Sequence, residues 1–208
     1  MHLTAHTRNL LSCAAAAFAA AALSTAPASA HAVAPAAAGC PAAPISHPFA
    51  AWQDVADYVF APDGGMEAGG AGWQLRGGAR AVEGNEPFRV RGATDHVALD
   101  LPAGSSATTA PMCIGLEHKT MRFFGSGTTT GELTVEALYT ERDGRPRAVT
   151  LGTVRGRGTW APTDSLPMKV NERAPDFGNA LMVSLRFTPH TSRGWRIDDV
   201  FVDPYRVR

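Results

Sequence analysis

The chain has 208 residues, 19 Lys+Arg against 19 Asp+Glu, and 45% hydrophobic residues. With no net charge and no basic stripe, nucleic-acid binding is excluded as a reading. The abundance of glycine (21) and proline (15) argues for many turns rather than long helices.

The first element is a secretory signal over residues 1–30. Arg8 precedes an apolar, alanine-rich run from Leu10 to Leu23, and Ala28-Ser29-Ala30 fits a small-x-small cleavage site, with Ala30-His31-Ala32 as a second choice. The run is shorter than the roughly 20 apolar residues a membrane span needs, and no later segment is long and apolar enough to span. Cys13 lies inside the apolar run rather than after it, which argues against a lipid anchor. The expected location is therefore extracellular. Residues 31–48 form an Ala/Pro-rich lead-in that contains Cys40, and residues 49–208 form a single domain large enough for one core. Cys40 and Cys113 survive signal removal. In an oxidising compartment they read as one disulfide, with two separate buried thiols as the alternative.

Helical spacing occurs once, where Phe49, Trp52, Val55 or Ala56, and Val59 predict one short helix or irregular segment before Pro62-Asp63-Gly64-Gly65. From Trp73 onward the pattern is β. Strands are predicted at 73–75, 79–83, 97–101, 109–114 and 120–124, followed by a flexible Gly125-Ser126-Gly127 stretch. Glu132 to Tyr139 alternates, Asp143-Gly144 marks a hairpin turn, and Ala148 to Val154 returns. Leu181, Val183, Leu185 and Phe187 alternate with Met182, Ser184, Arg186 and Thr188, as in a half-buried antiparallel strand. Trp195 to Val202 closes the chain. Short strands between Gly/Pro turns define an all-β, antiparallel β-sandwich or jelly roll.

The last strand carries a chemical problem. In Ile197-Asp198-Asp199-Val200-Phe201-Val202, strict alternation places one carboxylate on the core face unless a bulge re-aims it. A carboxylate there needs a cation or hydrogen-bond donors. Calcium takes six to eight oxygens, and Glu67, Asp198 and Asp199, with carbonyls of Gly64-Gly65, could supply several. Backbone N–H donors or an arginine such as Arg196 are the alternative.

At these same residues the chain resembles a known family. Gly65-Met66-Glu67-Ala68-Gly69, with Gly72-Trp73 and Gly77-Gly78-Ala79 after it, is similar to the opening motif of family-four-type carbohydrate-binding modules and other galactose-binding-like jelly rolls. Trp195-Arg196-Ile197-Asp198-Asp199-Val200 resembles their closing strand, and Leu151-Gly152-Thr153-Val154 with Thr159-Trp160 their mid-chain strands. Met66 stands where the family usually has an aromatic residue. Within the fold, the chain looks closest to secreted actinobacterial proteins. The resemblance implies a non-catalytic domain that binds a carbohydrate or cell-envelope component, and a structural calcium near the chain ends.

Sugar rings stack on aromatic faces, which makes Trp52, Tyr139 and Trp160 the candidate ligand residues; Trp73 and Trp195 sit in fold motifs and read as core. No cluster of aromatics stands at a platform spacing. That absence keeps a second reading open, a structural or interaction protein of the envelope or spore surface with no sugar site. Enzyme readings are poor. There is no G-x-S-x-G or H-E-x-x-H, Glu117-His118-Lys119 reads as a polar turn, and Glu132 and Glu136 as a solvated strand face.

Overall fold

A computed structural model describes residues 39–190 and 192–204. The predicted signal over 1–30, most of the lead-in and the final Tyr205–Arg208 lie outside the described residues. Two antiparallel sheets face each other. The first contains β1 (Ile45–Ser46), β2 (Tyr58–Phe60), β14 (Trp195–Pro204), β5 (Val97–Leu101) and β4 (Arg80–Glu83) in that order. On its other side β14 pairs with β8 (His118–Gly127), which also carries the two-residue β11 (Ala161–Pro162) and β12 (Leu166–Pro167). The second sheet runs β10 (Pro146–Arg155), β9 (Glu132–Thr140), β13 (Ala180–His190), β6 (Ser106–Thr108) and β3 (Gln74–Arg76), with β7 (Met112–Gly115) also paired to β13. This is the antiparallel β-sandwich that the strand pattern predicts. Among the described residues, no helix is long and apolar enough to cross a membrane.

Alternation divides the side chains between two cores. Leu133, Val135 and Ala137 of β9 and Val183, Leu185 and Phe187 of β13 are fully buried and meet Leu99, Leu101 and Phe123 of the first sheet. Phe123 and Phe187 cross between the sheets edge to face at 5.4 Å. The neighbours of these core residues point the other way. Phe124 and Phe201 project from the outer face of the first sheet, where Phe49 and Tyr58 cover them in a second aromatic core. Full burial of such side chains contributes about 1.5–3 kcal/mol each, so this outer layer is a substantial part of the domain.

The segment predicted as a short helix forms that layer with little helix. It makes one 3₁₀ turn (Ala50–Trp52) and then becomes β2. Its helical spacing reflects which residues reach the outer face, not an α-helical backbone. Arg122 fixes the segment: its guanidinium lies 4.3 Å over the Phe49 ring, its Nε donates to Thr163 O at 2.8 Å, and it pairs with Asp54. Tyr58 donates to the same Asp54 carboxylate at 2.8 Å.

Other boundaries shift for local reasons. The strand predicted over 109–114 begins only at Met112, as β7, because exposed Pro111 cannot donate to a ladder, and a separate strand, β6, precedes it at Ser106–Thr108. Gly125-Ser126-Gly127 is not a flexible stretch but the end of β8. A Cβ on Gly127 would stand 2.5 Å from the Trp195 ring, so glycine is there to let the indole lie on the strand. His118 starts β8 rather than a turn, and its buried ring accepts the Gly115 N–H at 3.0 Å. A nine-residue 3₁₀ segment, Lys169–Phe177, was not predicted; its Pro175 and its few buried residues hide it from periodicity.

Cys40 and Cys113 form a disulfide, with Cα atoms 5.6 Å apart and a sequence separation of 73. Together with β1 it ties residues of the expected lead-in to both sheets. Closing a loop of this length constrains the unfolded chain by about 4 kcal/mol. The Cys40→Ser/Cys113→Ser double variant is expected to lose about 2–4 kcal/mol in urea denaturation, and reduction of the wild-type protein should lower Tm to the same value as the variant.

Candidate functional site

Two features of the fold carry chemistry: an acidic junction in the first sheet and an open groove on the second. The junction arises from a register shift in β14. Trp195 and Ile197 face the central core, and so do Val200 and Val202; the parity changes between them. Opposite β8, Asp198 pairs with Phe124 and Phe201 with Arg122, so β14 holds one extra residue. Asp199 adopts φ +50° within this bulge. Both carboxylates are thereby turned inward, and both residues are 0% exposed.

The turn Pro62-Asp63-Gly64-Gly65 closes over the bulge. Val200 N donates to Gly64 O at 3.2 Å and Ala61 N to Val200 O at 2.9 Å. A Cβ on Gly65 would lie 2.9 Å from Asp199 Oδ1, so the missing side chain makes room for the carboxylate. Asp198 is satisfied by backbone: Glu86 N donates to Oδ2 at 3.0 Å and Asp199 N to Oδ1 at 2.9 Å. Asp199 is not. Neither of its oxygens has a hydrogen-bond partner. Burial, then the neighbouring Asp199 charge, pushes the Asp198 carboxyl up to about 9. Burial, then the charges of Asp95 and Glu86, pushes Asp199 up to about 8.

Glu67, the third carboxylate of the expected set, is exposed and engaged elsewhere. Its Oε1 accepts the His96 and Val97 N–H groups, both at 2.8 Å, and its Oε2 lies 3.0 Å from His96 Nδ1. It holds the start of β5 onto the turn that contains it. Sequence reasoning missed Glu86 and Asp95. Glu86 is fully buried and caps its own loop, accepting N–H groups from Phe88 and Val90. Asp95 is 6% exposed, and burial followed by its hydrogen bond to Glu67 raises it to about 6. Arg91, stacked 3.6 Å over the Phe60 ring, is the cation that offsets Asp199 in part.

A buried, uncompensated carboxylate costs several kcal/mol, more than a single hydrogen bond returns. The junction therefore needs a compensating positive charge, and a proton on the raised carboxyls supplies one. Among the described residues, no three His, Cys, Asp or Glu side chains converge as a ready-made metal cage. Asp198 and Glu67 are on N–H donors, which leaves Asp199 as the one carboxylate of the expected set whose oxygens have no hydrogen-bond partner.

The three candidate ligand residues are not brought together. Trp52 and Trp160 are both half-buried and pack against the aromatic core outside the first sheet, Trp52 edge-on to Phe88 at 4.8 Å. Tyr139 lies on the second sheet, edge-on to Phe177 at 6.1 Å, with its hydroxyl donating to Glu141 at 3.2 Å. Trp73 and Trp195 are core, as their motifs predict.

Tyr139 also borders the second feature, a groove of about 590 Å³ across the outer face of the second sheet. The register aligns Gln74, Thr108, Arg186 and Glu136 side by side on four successive strands, with Thr150 next to them on β10. Arg186 pairs with Glu136 through Nε at 2.8 Å and Nη2 at 2.7 Å. Ser184, half-buried Leu138 and Met182, 57% exposed, line the groove beside this row. Alternation along β13 marks Met182, Ser184 and Arg186 as outward-facing. What it cannot show is that β3 and β10 stand in the same sheet.

Fold and site thus define an antiparallel β-sandwich with an open polar sheet face and an acidic junction between its first and last parts. No family model matches the chain, and no curated protein matches it in sequence. Solved structures do resemble it. One is the CBM22-1–GH10 portion of the Clostridium thermocellum endo-1,4-beta-D-xylanase 10B, complexed with xylohexaose: 14% identity, 70% of this chain and 28% of that chain covered, TM-score 0.46. Another is the CBM22-1 xylan-binding domain of Paenibacillus barcinonensis Xyn10C, with 11% identity, 67% and 90% covered, and TM-score 0.44. A third is TmCBM61 in complex with beta-1,4-galactotriose, with 15% identity, 71% and 98% covered, and TM-score 0.41. These are modules of families 22 and 61, not the family four that the sequence motifs resemble. At such identities the likeness carries nothing about a ligand, which rests on the site itself.

The tight contact at Gly65 gives a test of the junction. Gly65→Ala must displace the Asp199 carboxylate from a fully buried position, and it is expected to cost about 1–3 kcal/mol in urea denaturation. Gly144→Ala, at a hairpin glycine with nothing within 4 Å but φ +83°, separates this steric cost from ordinary backbone strain.

Proposed function

We propose that this is a secreted, non-catalytic domain that binds a carbohydrate or another cell-envelope component along the outer face of its second sheet. The observation that carries the reading is the groove of about 590 Å³ and the row of amide, hydroxyl and guanidinium groups across it, with the Glu136 carboxylate next to Arg186. Sugars present hydroxyls at regular intervals, and a rigid sheet that holds donors and acceptors in a line can meet several at once. The signal-like first 30 residues support secretion, and the disulfide accords with an oxidising compartment. The test is a glycan array with peptidoglycan and plant-polysaccharide pull-downs. Binding by the wild-type protein and a loss of about tenfold or more in Arg186→Ala is expected, the substitution leaving Glu136 without its partner. Retention of full affinity in that variant overturns the placement on this face, and blank arrays overturn the carbohydrate reading.

One observation favours a second reading, a structural or interaction protein of the envelope or spore surface on the same fold. The tryptophans pack into or against the two cores rather than lining the groove, so Tyr139 is the one aromatic ring in its lining and no stacking platform of several rings is formed there. Blank glycan arrays with retained binding to whole envelopes would support it.

A structural calcium ion belongs to the proposal as well. Asp199 would hold it, and the ion would supply the positive charge that the buried carboxylates lack and tie the Gly64-Gly65 turn to β14. A ligand that binds the native state alone stabilises it by about 2.7 kcal/mol at a hundredfold excess over Kd. Calcium is expected to raise Tm relative to chelator-treated protein, and Asp199→Asn to abolish the difference while remaining folded. An unchanged Tm in the wild-type protein would remove calcium from the account.

A further inference from the structure

We infer that the groove is built for an acidic polysaccharide, one bearing carboxylate or phosphate groups, in preference to a neutral one. This rests on the reading of the groove as a glycan site and concerns the charge of what it takes. Three arginines line it, Arg76 from β3, Arg147 from β10 and Arg186 from β13, and no carboxylate is among the lining residues. Two of the three have acidic partners beside the groove. Arg186 uses Nε and Nη2 on Glu136, and Arg147 Nε lies 3.4 Å from Glu141. Arg76 has no ion-pair partner among the described residues and is exposed. It follows Gln74 by two positions on the same face of β3, so it stands beside the β3 end of the polar row.

A guanidinium presents five N–H donors in a planar fork. It meets a carboxylate or phosphate through two parallel bonds, a geometry a single sugar hydroxyl does not offer. Arg186 keeps the donors that Glu136 does not use, and Arg76 keeps all of its own. The apolar part of the groove is aliphatic: Leu138, Met182 and Pro146. It gives a chain width and contact, and the one aromatic in the lining, Tyr139, is held edge-on to Phe177 with its hydroxyl on Glu141, so the groove has a single ring and not a stacking platform for neutral sugars. Neutral recognition here has one tethered ring to stack on, whereas anionic recognition has a cation without an ion-pair partner among the described residues on a fixed strand.

The test compares polygalacturonate (carboxylate) and teichoic acid (phosphate) with xylan and galactan by calorimetry or affinity electrophoresis, at 50 and 500 mM NaCl. Surface charge pairs are weakened by salt at these strengths. At least one acidic polymer should bind more tightly than both neutral ones and lose affinity as salt rises. Arg76→Gln should weaken that binding by roughly fivefold, the effect of about one exposed charge pair, and leave any neutral binding within about twofold. The carboxylate and phosphate arms identify which anion is read. Salt-independent binding of xylan or galactan, equal to or tighter than the acidic polymers and indifferent to Arg76→Gln, overturns the charge preference while leaving the glycan site intact. No binding to any of the four polymers overturns the glycan reading itself, with the charge preference that rests on it.

Discussion

The extra residue in β14 is the constraint on which the first sheet depends. Before it, β14 lies between β8 and β5; after it, between β8 and β2. One strand thus joins two different neighbours on the same side, and the change of parity lets Trp195 and Ile197, then Val200 and Val202, all face the central core. Without the bulge, Val200 and Val202 would point outward and Phe201 inward. The outer aromatic layer built on Phe201 and Phe124 would lose one of its two anchors. The cost of this arrangement is concentrated at Asp198 and Asp199, which the bulge turns into the protein interior. Apolar side chains there would remove the charge problem but also the bonds from Asp198 to Glu86 N and Asp199 N, which hold the bulge and the 86–90 loop in place.

How much of this can be read from sequence varies with the distance over which the signal acts. The parity conflict in Ile197-Asp198-Asp199-Val200 is local, and it points to a bulge with buried carboxylates. The alternation of Leu133, Val135 and Ala137, and of Leu181 through Phe187, is equally local and gives β9 and β13 with the correct inward faces. The pairing of Cys40 with Cys113 follows from there being two cysteines outside the apolar run at the start of the sequence. Glu86 and Asp95 are different. Each lies in a loop without periodicity, and nothing near them in sequence says that they fold against a strand more than 100 residues away. The helical spacing from Phe49 to Val59 misleads for a related reason. Residues three and four apart also meet when a 3₁₀ turn and a short strand drape over an aromatic patch, and the patch is supplied by β8 and β14.

The candidate ligand residues show the same limit. Trp52, Tyr139 and Trp160 are candidates by residue type, and residue type does not say which face of which sheet a ring occupies. Two of them extend the outer core of the first sheet, and the third packs on Phe177 at the margin of the groove. The groove itself is made of residues with no individual signature: a glutamine, threonines, a serine and arginines. It exists because β3, β6, β13 and β9 are neighbours in space while far apart in the chain. That order could not be derived from the spacing of turns.

The two chemically notable regions lie on different sheets, and this separates stability from binding. The junction acts on β14, the 62–65 turn and the 86–96 loop, all attached to the first sheet. The groove is carried by β3, β6, β13, β9 and β10, all in the second. What connects them is the central core, where Phe123 meets Phe187 and Trp73 stacks on Phe187 at 6.1 Å. Such a core is close-packed and transmits the position of a sheet, but it has no charged or hydrogen-bonded element that could take two arrangements. A charge bound at the junction should therefore change how long the sandwich survives heating without changing how its open face grips a ligand. Were the two found to be linked, the coupling would have to run through the backbone of β13 beside Phe187, the shortest covalent route from that core to Arg186.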